Sequence, residues 1–311
     1  MDSLQKNSLH IRYTKLYFFA VFLEDTRLPE NKPSAIRGGI GEMLLRSNCI
    51  RDRNCEICDF KEECVVQRTM YTQFKEKPAY VTTGDSVGYV LSCENRKEYF
   101  QAGDGFEFEL LLFGRNLVYF NQYIQAICAL GMNGLGKYKA RFRLVSVKNA
   151  DRQDILKDGQ IYMERYQVKY LDQYVEKRLK SRENLTYRYL KFFTPLTLKY
   201  QGEFLKEFQM DAILAGIRRR IYMLDCFEGI QDEEWMRWKL PHVEIKDQRC
   251  FPVHVERYSS RRDSRMILKG LAGEIFLDDV PEEVKSLLLA GELIHVGKNT
   301  SFGFGRYEIL D

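Results

Sequence analysis

The chain contains 311 residues, of which 45% are hydrophobic and 30% are charged. This composition is typical of a packed globular protein and excludes a disordered or fibrous chain, and the length favours two domains of ordinary size. Lys and Arg total 48 against 44 for Asp and Glu. The resulting net charge of +4 does not by itself require a nucleic acid partner, so the placement of the charges has to decide that question.

The N-terminal segment carries an apolar run that Lys15 interrupts and that Glu24 and Asp25 end. Such a segment fits neither a signal peptide nor a membrane span. We therefore expect a cytoplasmic protein that does not contact a membrane.

The predicted strands and helices follow a similar succession in each half of the chain. The first half begins with a strand at 9–22 and a helix capped by Ser34, and it closes with strand, helix, glycine loop and strand between 106 and 147. We interpret the basic stretch 165–191 as the joint between domains. A second βαββαβ cycle begins near Thr194. The sequence therefore predicts an α+β protein with two tandem ferredoxin-like (RRM-like) domains. Their predicted bounds are 1–185 and 186–311.

Four of the eight cysteines lie within sixteen residues, and the other four are scattered, which is not the pattern of a disulfide framework. The central C-x2-C allows two thiolates to bind one ion, and the outer pair can complete a tetrahedral shell. Four sulfurs suit zinc, and the spacing would also suit an iron–sulfur cluster. We predict a structural metal-binding insert at about 48–66, with four free thiols as the alternative. The predicted ligands are Cys49, Cys55, Cys58 and Cys64.

A glycine-rich loop precedes the last predicted strand. Its glycines leave backbone N–H groups unshielded, and its polar side chains can donate hydrogen bonds to phosphate oxygens. The pattern is neither a Walker loop nor a dinucleotide fingerprint, because it leads into a strand. Such a loop is more often only a tight connection. The candidate binding residues are Gly297, Lys298, Asn299, Thr300, Gly303 and Gly305.

A basic stretch with the sequence RYSSRRDSRMILKG predicts a β-hairpin that carries an aromatic residue able to stack on a base. The alternative is a hairpin whose charges are merely solvated. His295 stands directly before the glycine-rich loop, where a phosphodiester would bind. The candidate residues of the hairpin are Arg257, Tyr258, Arg261, Arg262 and Lys269.

Together, RGGIGEML, the four-cysteine insert, RYSSR followed by MILKGLAGEI, and HVGKNTSFGFGRY resemble the CRISPR-associated repeat-RNA-processing endoribonucleases of the RAMP superfamily. The resemblance spans nearly the whole chain. It implies two tandem ferredoxin-like domains and a loop at Gly297, Gly303 and Gly305 that contacts repeat RNA. It also implies cleavage of precursor RNA within its repeats without a metal ion. In such cleavage a base deprotonates the 2′-hydroxyl, an acid protonates the leaving oxygen, and a 2′,3′-cyclic phosphate remains.

Many members of this family place a catalytic histidine in or just after the first helix, whereas residues 34–66 contain none. We therefore predict His295 as acid or base, Tyr258 as an assisting group, and Lys298 or Arg257 for charge stabilisation. One alternative is a repeat-RNA binder that does not cut, and another is a scaffold subunit of a CRISPR interference complex. A DNA-reading zinc-finger protein is a distant third. The expected partners are repeat RNA or crRNA and, for the scaffold, subunits of that complex.

Overall fold

The computed structural model describes residues 9–74, 78, 86–181, 186–230, 233–259 and 264–310. These residues form mixed α and β structure with antiparallel sheets, which confirms the predicted α+β class. Within these ranges no helix combines the length and the apolar character needed to cross a membrane.

Regular elements run through all of the longer described ranges. The helices are α1 (Pro33–Asn48), α2 (Val65–Met70), α3 (Phe120–Asn133), α4 (Leu171–Ser181), α5 (Met210–Glu228), α6 (Glu233–Arg237) and α7 (Glu282–Ile294). The strands are β1 (Arg12–Phe22), β2 (Thr26–Arg27), β3 (Tyr89–Ser92), β4 (Tyr99–Phe100), β5 (Gly105–Phe113), β6 (Phe142–Lys148), β7 (Asp154–Lys157), β8 (Gln160–Ile161), β9 (Lys169–Tyr170), β10 (Tyr189–Leu196), β11 (Lys199–Tyr200), β12 (Glu203–Phe204), β13 (Ile245–Ser259), β14 (Ser264–Leu277) and β15 (Tyr307–Leu310).

The first compact unit, here the N-terminal unit, comprises the described residues of 13–168 and 257–266. Its main sheet has the strand order β3-β5-β1-β6-β7-β8, and the first four strands of that path follow the ferredoxin-like order. Phe18 of β1 lies opposite Phe108 of β5, and their rings stack at 5.0 Å. Alternation along these strands buries this face against α1 and α3, where Ile40 and Ile127 belong to the core.

The first helix begins two residues earlier than predicted. Lys32, not Ser34, occupies the N-cap, and Pro33 opens the helix because its fixed φ and missing N–H suit the first helical position. Gly39 has a packing role, since a Cβ there would lie 2.5 Å from a methyl carbon of Leu130 in α3. This glycine allows α1 and α3 to pack closely.

The second compact unit, here the C-terminal unit, comprises the described residues of 9–12, 169–256 and 267–310. Its sheet has the order β13-β14-β10-β15, which is again the ferredoxin-like order. Leu190 and Phe192 of β10 belong to the buried face, together with Ile309 of β15. Helices α5 and α7 supply the apolar side chains of the same core, including Ile217 and Leu288.

The compact units are bounded differently from the predicted domains, whose division at 185/186 stays a prediction. Residues 9–12 belong to the C-terminal unit, where the carbonyls of Leu9 and Ile11 accept hydrogen bonds from the start of α4. The stretch interpreted as a joint contains α4, which buries Leu171 and Val175. This part of the stretch is therefore an amphipathic helix rather than a linker.

Candidate functional site

The glycine-rich loop connects α7 to β15 and has an unusual backbone. A Cβ at Gly305 would lie 1.8 Å from the carbonyl oxygen of Val296, and one at Gly297 would lie 2.5 Å from that of Thr197. Only glycine fits such close approaches between backbone segments. The residues with positive φ are His295, Gly297, Asn299, Gly303 and Gly305.

Most backbone donors of this loop are already used inside the protein. Val296 N–H donates to the Gly305 carbonyl, and Gly305 N–H donates to the Pro195 carbonyl. Thr300 is buried as well. The N–H groups of Gly303 and Gly305 both donate to protein carbonyls, and the predicted RNA-binding roles of these two residues stay predictions. The N–H groups with protein acceptors are those of His295, Val296, Lys298, Phe302, Gly303, Phe304, Gly305 and Arg306.

The accessible part of the loop is centred on Lys298, which is exposed, with Gly297 and Asn299 partly exposed beside it. Lys298 N–H donates to the Thr197 carbonyl at 2.7 Å, and the Thr197 hydroxyl donates to the Lys269 carbonyl. Thr197 thus bonds to the backbones of two predicted binding residues, Lys298 and Lys269, and brings those backbones close together in space. Both lysines are exposed, so this edge carries two positive charges.

His295 lies at the end of α7 with only 4% of its surface exposed. Its ring Nδ1 lies 3.1 Å from the carbonyl oxygen of Phe304, so the protonated nitrogen can donate across the loop. Behind the loop, the buried Tyr307 hydroxyl donates to the Leu288 carbonyl, and burial raises its pKa well above the ordinary value. This arrangement indicates that His295 holds the loop closed. Its predicted acid or base role stays a prediction.

An aromatic residue with two cations lies on the sheet of the C-terminal unit, and sequence reasoning missed it. Phe193 is 42% exposed; Lys191 Nζ lies 5.7 Å and Arg306 Cζ 5.5 Å from its ring centroid. We call Lys191, Phe193 and Arg306 the Phe193 patch. The available signal was the alternation of β10, in which Leu190 and Phe192 are buried while Lys191 and Phe193 face outward.

The predicted basic hairpin exists as β13 and β14, although its tip is only partly described. Arg257 is half-buried, and its guanidinium lies 3.4 Å from the sulfur of Met266. Tyr258 lies in β13, and the structure describes no more of it than its backbone. Arg261 and Arg262 lie outside the described residues. The predicted roles of these hairpin residues therefore stay predictions.

The four clustered cysteines lie between α1 and α2, and all of them line one cavity of about 200 Å³. None forms a disulfide, and each is partly exposed. Among the residues that the structure describes, no three or more His, Cys, Asp or Glu side chains are grouped closely enough to hold a metal ion. The cysteines share a cavity but are not assembled as ligands.

Two family models match successive parts of the chain. One, described as the AF_1859_N N-terminal domain, matches residues 10–172, and the other, described as CRISPR-associated endoribonuclease Cas6, matches residues 190–307. The chain is also 23% identical to an uncharacterized protein of Archaeoglobus fulgidus, over 99% of this chain and 98% of that protein.

Solved structures share the fold at low sequence identity. A partial Cas6-RT-Cas1–Cas2 complex matches with a TM-score of 0.58 and 12% identity over 96% of this chain, which spans 46% of the length of that protein. The Thermus thermophilus Cas6 (TTHB231) product complex matches with a TM-score of 0.52 and 15% identity, over 96% of this chain and 99% of that one. The fold is therefore that of these Cas6 structures. The chain belongs to the family of the AF_1859_N N-terminal domain, whose model covers residues 10–172, and its residues 190–307 are similar to the CRISPR-associated endoribonuclease Cas6.

Proposed function

We propose that this protein binds CRISPR precursor RNA and cuts it within the repeats, releasing crRNAs. The match of residues 190–307 to the Cas6 endoribonuclease model supports the endoribonuclease class. The observation that carries the proposal is the hydrogen bonding of Thr197 to the backbones of both Lys298 and Lys269, because it places two exposed cations at one edge of the glycine-rich loop. Such an edge can bind successive phosphates of an RNA strand.

The Phe193 patch supplies a different kind of contact on the same unit. An exposed aromatic ring on a ferredoxin-like sheet can stack on an unpaired base, and flanking cations can pair with the adjacent phosphates. Lys191 and Arg306 lie within cation–π distance of Phe193. Arg306 also pairs with Glu308, so the exposed Lys191 is the cation that we propose pairs with a phosphate. We propose that the patch binds a single-stranded part of the repeat.

We propose cleavage without a metal ion, by attack of a 2′-hydroxyl on the neighbouring phosphorus. The new P–O bond forms as the bond to the 5′-oxygen breaks, so a 2′,3′-cyclic phosphate and a free 5′-hydroxyl remain. Lys298 is the proposed group that stabilises the negative charge of the phosphorane. For His295, the buried ring and its contact with Phe304 support a positioning role, with direct proton transfer as the competing hypothesis.

The deciding experiment incubates the full chain with labelled repeat RNA in EDTA and without divalent cations. One discrete cut that leaves a cyclic phosphate supports the proposal. The zinc content of the protein is measured in the same buffer, so that loss of a structural metal is not mistaken for a catalytic requirement. A cut that appears only with added Mg²⁺ contradicts the metal-free mechanism.

The roles of His295 are separated by two substitutions. His295→Ala removes the ring, whereas His295→Asn keeps a donor for the Phe304 carbonyl and tolerates a positive φ. If the ring only positions the loop, Asn restores cleavage relative to Ala. If the ring transfers a proton, both variants lose cleavage alike. If His295→Ala cleaves at the wild-type rate, His295 neither positions the loop for cleavage nor transfers a proton.

A repeat-RNA binder that does not cut is the second candidate function. The absence of histidine from residues 34–66 and the burial of His295 favour it. Specific binding of repeat RNA without a cut in the same assay supports this candidate. If the protein neither binds nor cuts the repeat RNA in this assay, the result supports a scaffold subunit of an interference complex.

A further inference from the structure

The insert between α1 and α2 carries four cysteines, two at its ends and two between them. Cys49 is the C-cap of α1, and Cys64 is the N-cap of α2, so both outer cysteines are fixed by regular structure. Cys55 and Cys58 lie in the turns between them and line the same cavity of about 200 Å³. Two thiols are therefore anchored and two are carried by a short irregular segment.

This segment has little apolar burial of its own. Ile50 is 71% exposed, Ile57 is 76% exposed and Phe60 is 50% exposed, although these are its bulky apolar residues. No helix or strand forms between residues 50 and 63. Segments that cannot bury a core are generally held by disulfides or by a metal ion. The four cysteines are free thiols, and four thiols at one cavity are a ligand set that a metal ion can use as a cross-link.

The ion pairs of this segment are a weak substitute for a covalent or metal cross-link. Arg53 donates to Glu42 of α1, and Arg51 donates to Asp59 within the segment. All four side chains are substantially exposed, and exposed pairs of this kind contribute little to stability. A further contact points to sulfur as a ligand: the backbone N–H of Arg53 donates to Cys49 Sγ at 3.3 Å. Hydrogen bonds to a ligand atom are a regular part of metal sites because they orient the ligand.

We propose that Cys49, Cys55, Cys58 and Cys64 bind one Zn²⁺ ion in a structural site that fastens the insert to α1 and α2. Binding draws the sulfurs around the cavity to about 2.3 Å from the ion, and the thiols release their protons as they become ligands. The required displacement falls on Cys55 and Cys58, because no helix or strand fixes these two residues. Four thiolates leave no position for water or substrate, so this site does not perform the cleavage.

The first test measures the metal content of the purified full chain. We expect one zinc per chain and no visible absorption. Cys58→Ser is expected to lower the zinc content at least tenfold, whereas Cys128→Ser, at an exposed cysteine of α3, leaves it unchanged. Iron with visible absorption overturns the assignment to zinc. Wild-type protein without stoichiometric metal overturns the site.

A second test does not depend on the folding of a variant. Wild-type protein stripped of metal is titrated with Co²⁺, and thiolate-to-cobalt absorption is expected to saturate at one equivalent. Proteolysis between residues 50 and 63 is expected to be at least tenfold faster in the stripped protein and to return to its original rate with Zn²⁺. Absence of both responses overturns the proposal, whatever the outcome of the RNA cleavage assay.

Discussion

Gly305 lies where the glycine-rich loop passes closest to its own backbone. Its φ is 72°, and a Cβ would lie 1.8 Å from the Val296 carbonyl oxygen, a contact that no side-chain rotation relieves. We expect Gly305→Ala to lower the free energy of unfolding by about 3 kcal/mol, measured by chemical denaturation. Gly202→Ala is the control, because its φ is 91° with no atom within 4 Å, and only about 1 to 2 kcal/mol is expected. Equal losses would contradict the role of the backbone contact.

Phe193 offers the test of base stacking. We expect Phe193→Ala to weaken binding of single-stranded repeat RNA by about 1 to 3 kcal/mol, since its ring can no longer stack on a base. Binding is measured by fluorescence anisotropy at fixed salt. Phe251→Ala is the control, because Phe251 is an exposed aromatic of β13, two strands away from β10 in the sheet. Similar losses in both variants would show that the patch has no special role.

The candidate site was only partly predictable from sequence. The exposure of Lys298 follows from a charged residue among glycines, and the sequence indicates it directly. The use of Gly303 and Gly305 as internal donors depends on distant carbonyls, such as that of Pro195, and local sequence carries no information about those. Alternation along β10 places Phe193 and Lys191 on the same outward face, but the sequence does not show that β10 pairs with β15, which brings Arg306 beside the ring.

At the scale of elements, α4 and α7 are joined by a partly buried ion pair. Arg178 donates to Glu292 at 2.7 Å, and Glu292 also accepts from the backbone of Ile309 in β15. We expect Arg178→Met to lower the free energy of unfolding by roughly 2 kcal/mol, because the buried carboxylate loses its charged partner. Arg237→Met is the control; its exposed pair with Glu233 is expected to contribute at most about 0.5 kcal/mol. No difference between the variants in thermal or urea unfolding would contradict this ranking.

The elements themselves were largely predictable. Hydrophobic periodicity identified β1, α1, α5 and α7, since each buries one regular face. The helix α4 was interpreted as part of a joint because its many charges hide a narrow apolar stripe at Leu171 and Val175. The helix that α4 packs against, α7, lies about a hundred residues further along the chain, and sequence periodicity cannot show such a partner.

For the whole molecule, we expect RNA binding to depend on local clusters of charge rather than on the net charge of +4. We expect the affinity for single-stranded repeat RNA to fall with rising salt, and Lys298→Ala to reduce the slope of log K against log salt by about 0.7, the value for one phosphate contact. Lys285→Ala is the control, because Lys285 of α7 pairs with Glu282. An unchanged slope for Lys298→Ala would show that this lysine contacts no phosphate.

The division into compact units has a consequence for synthesis on the ribosome. The N-terminal unit includes 257–266, and the C-terminal unit includes residues 9–12. Neither unit is a continuous stretch of chain, so neither is complete until most of the polypeptide has been made. During synthesis, the N-terminal unit therefore stays incomplete until residues 257–266 have been made. Expression of either half of the chain alone would lack some residues of the unit that it is meant to form.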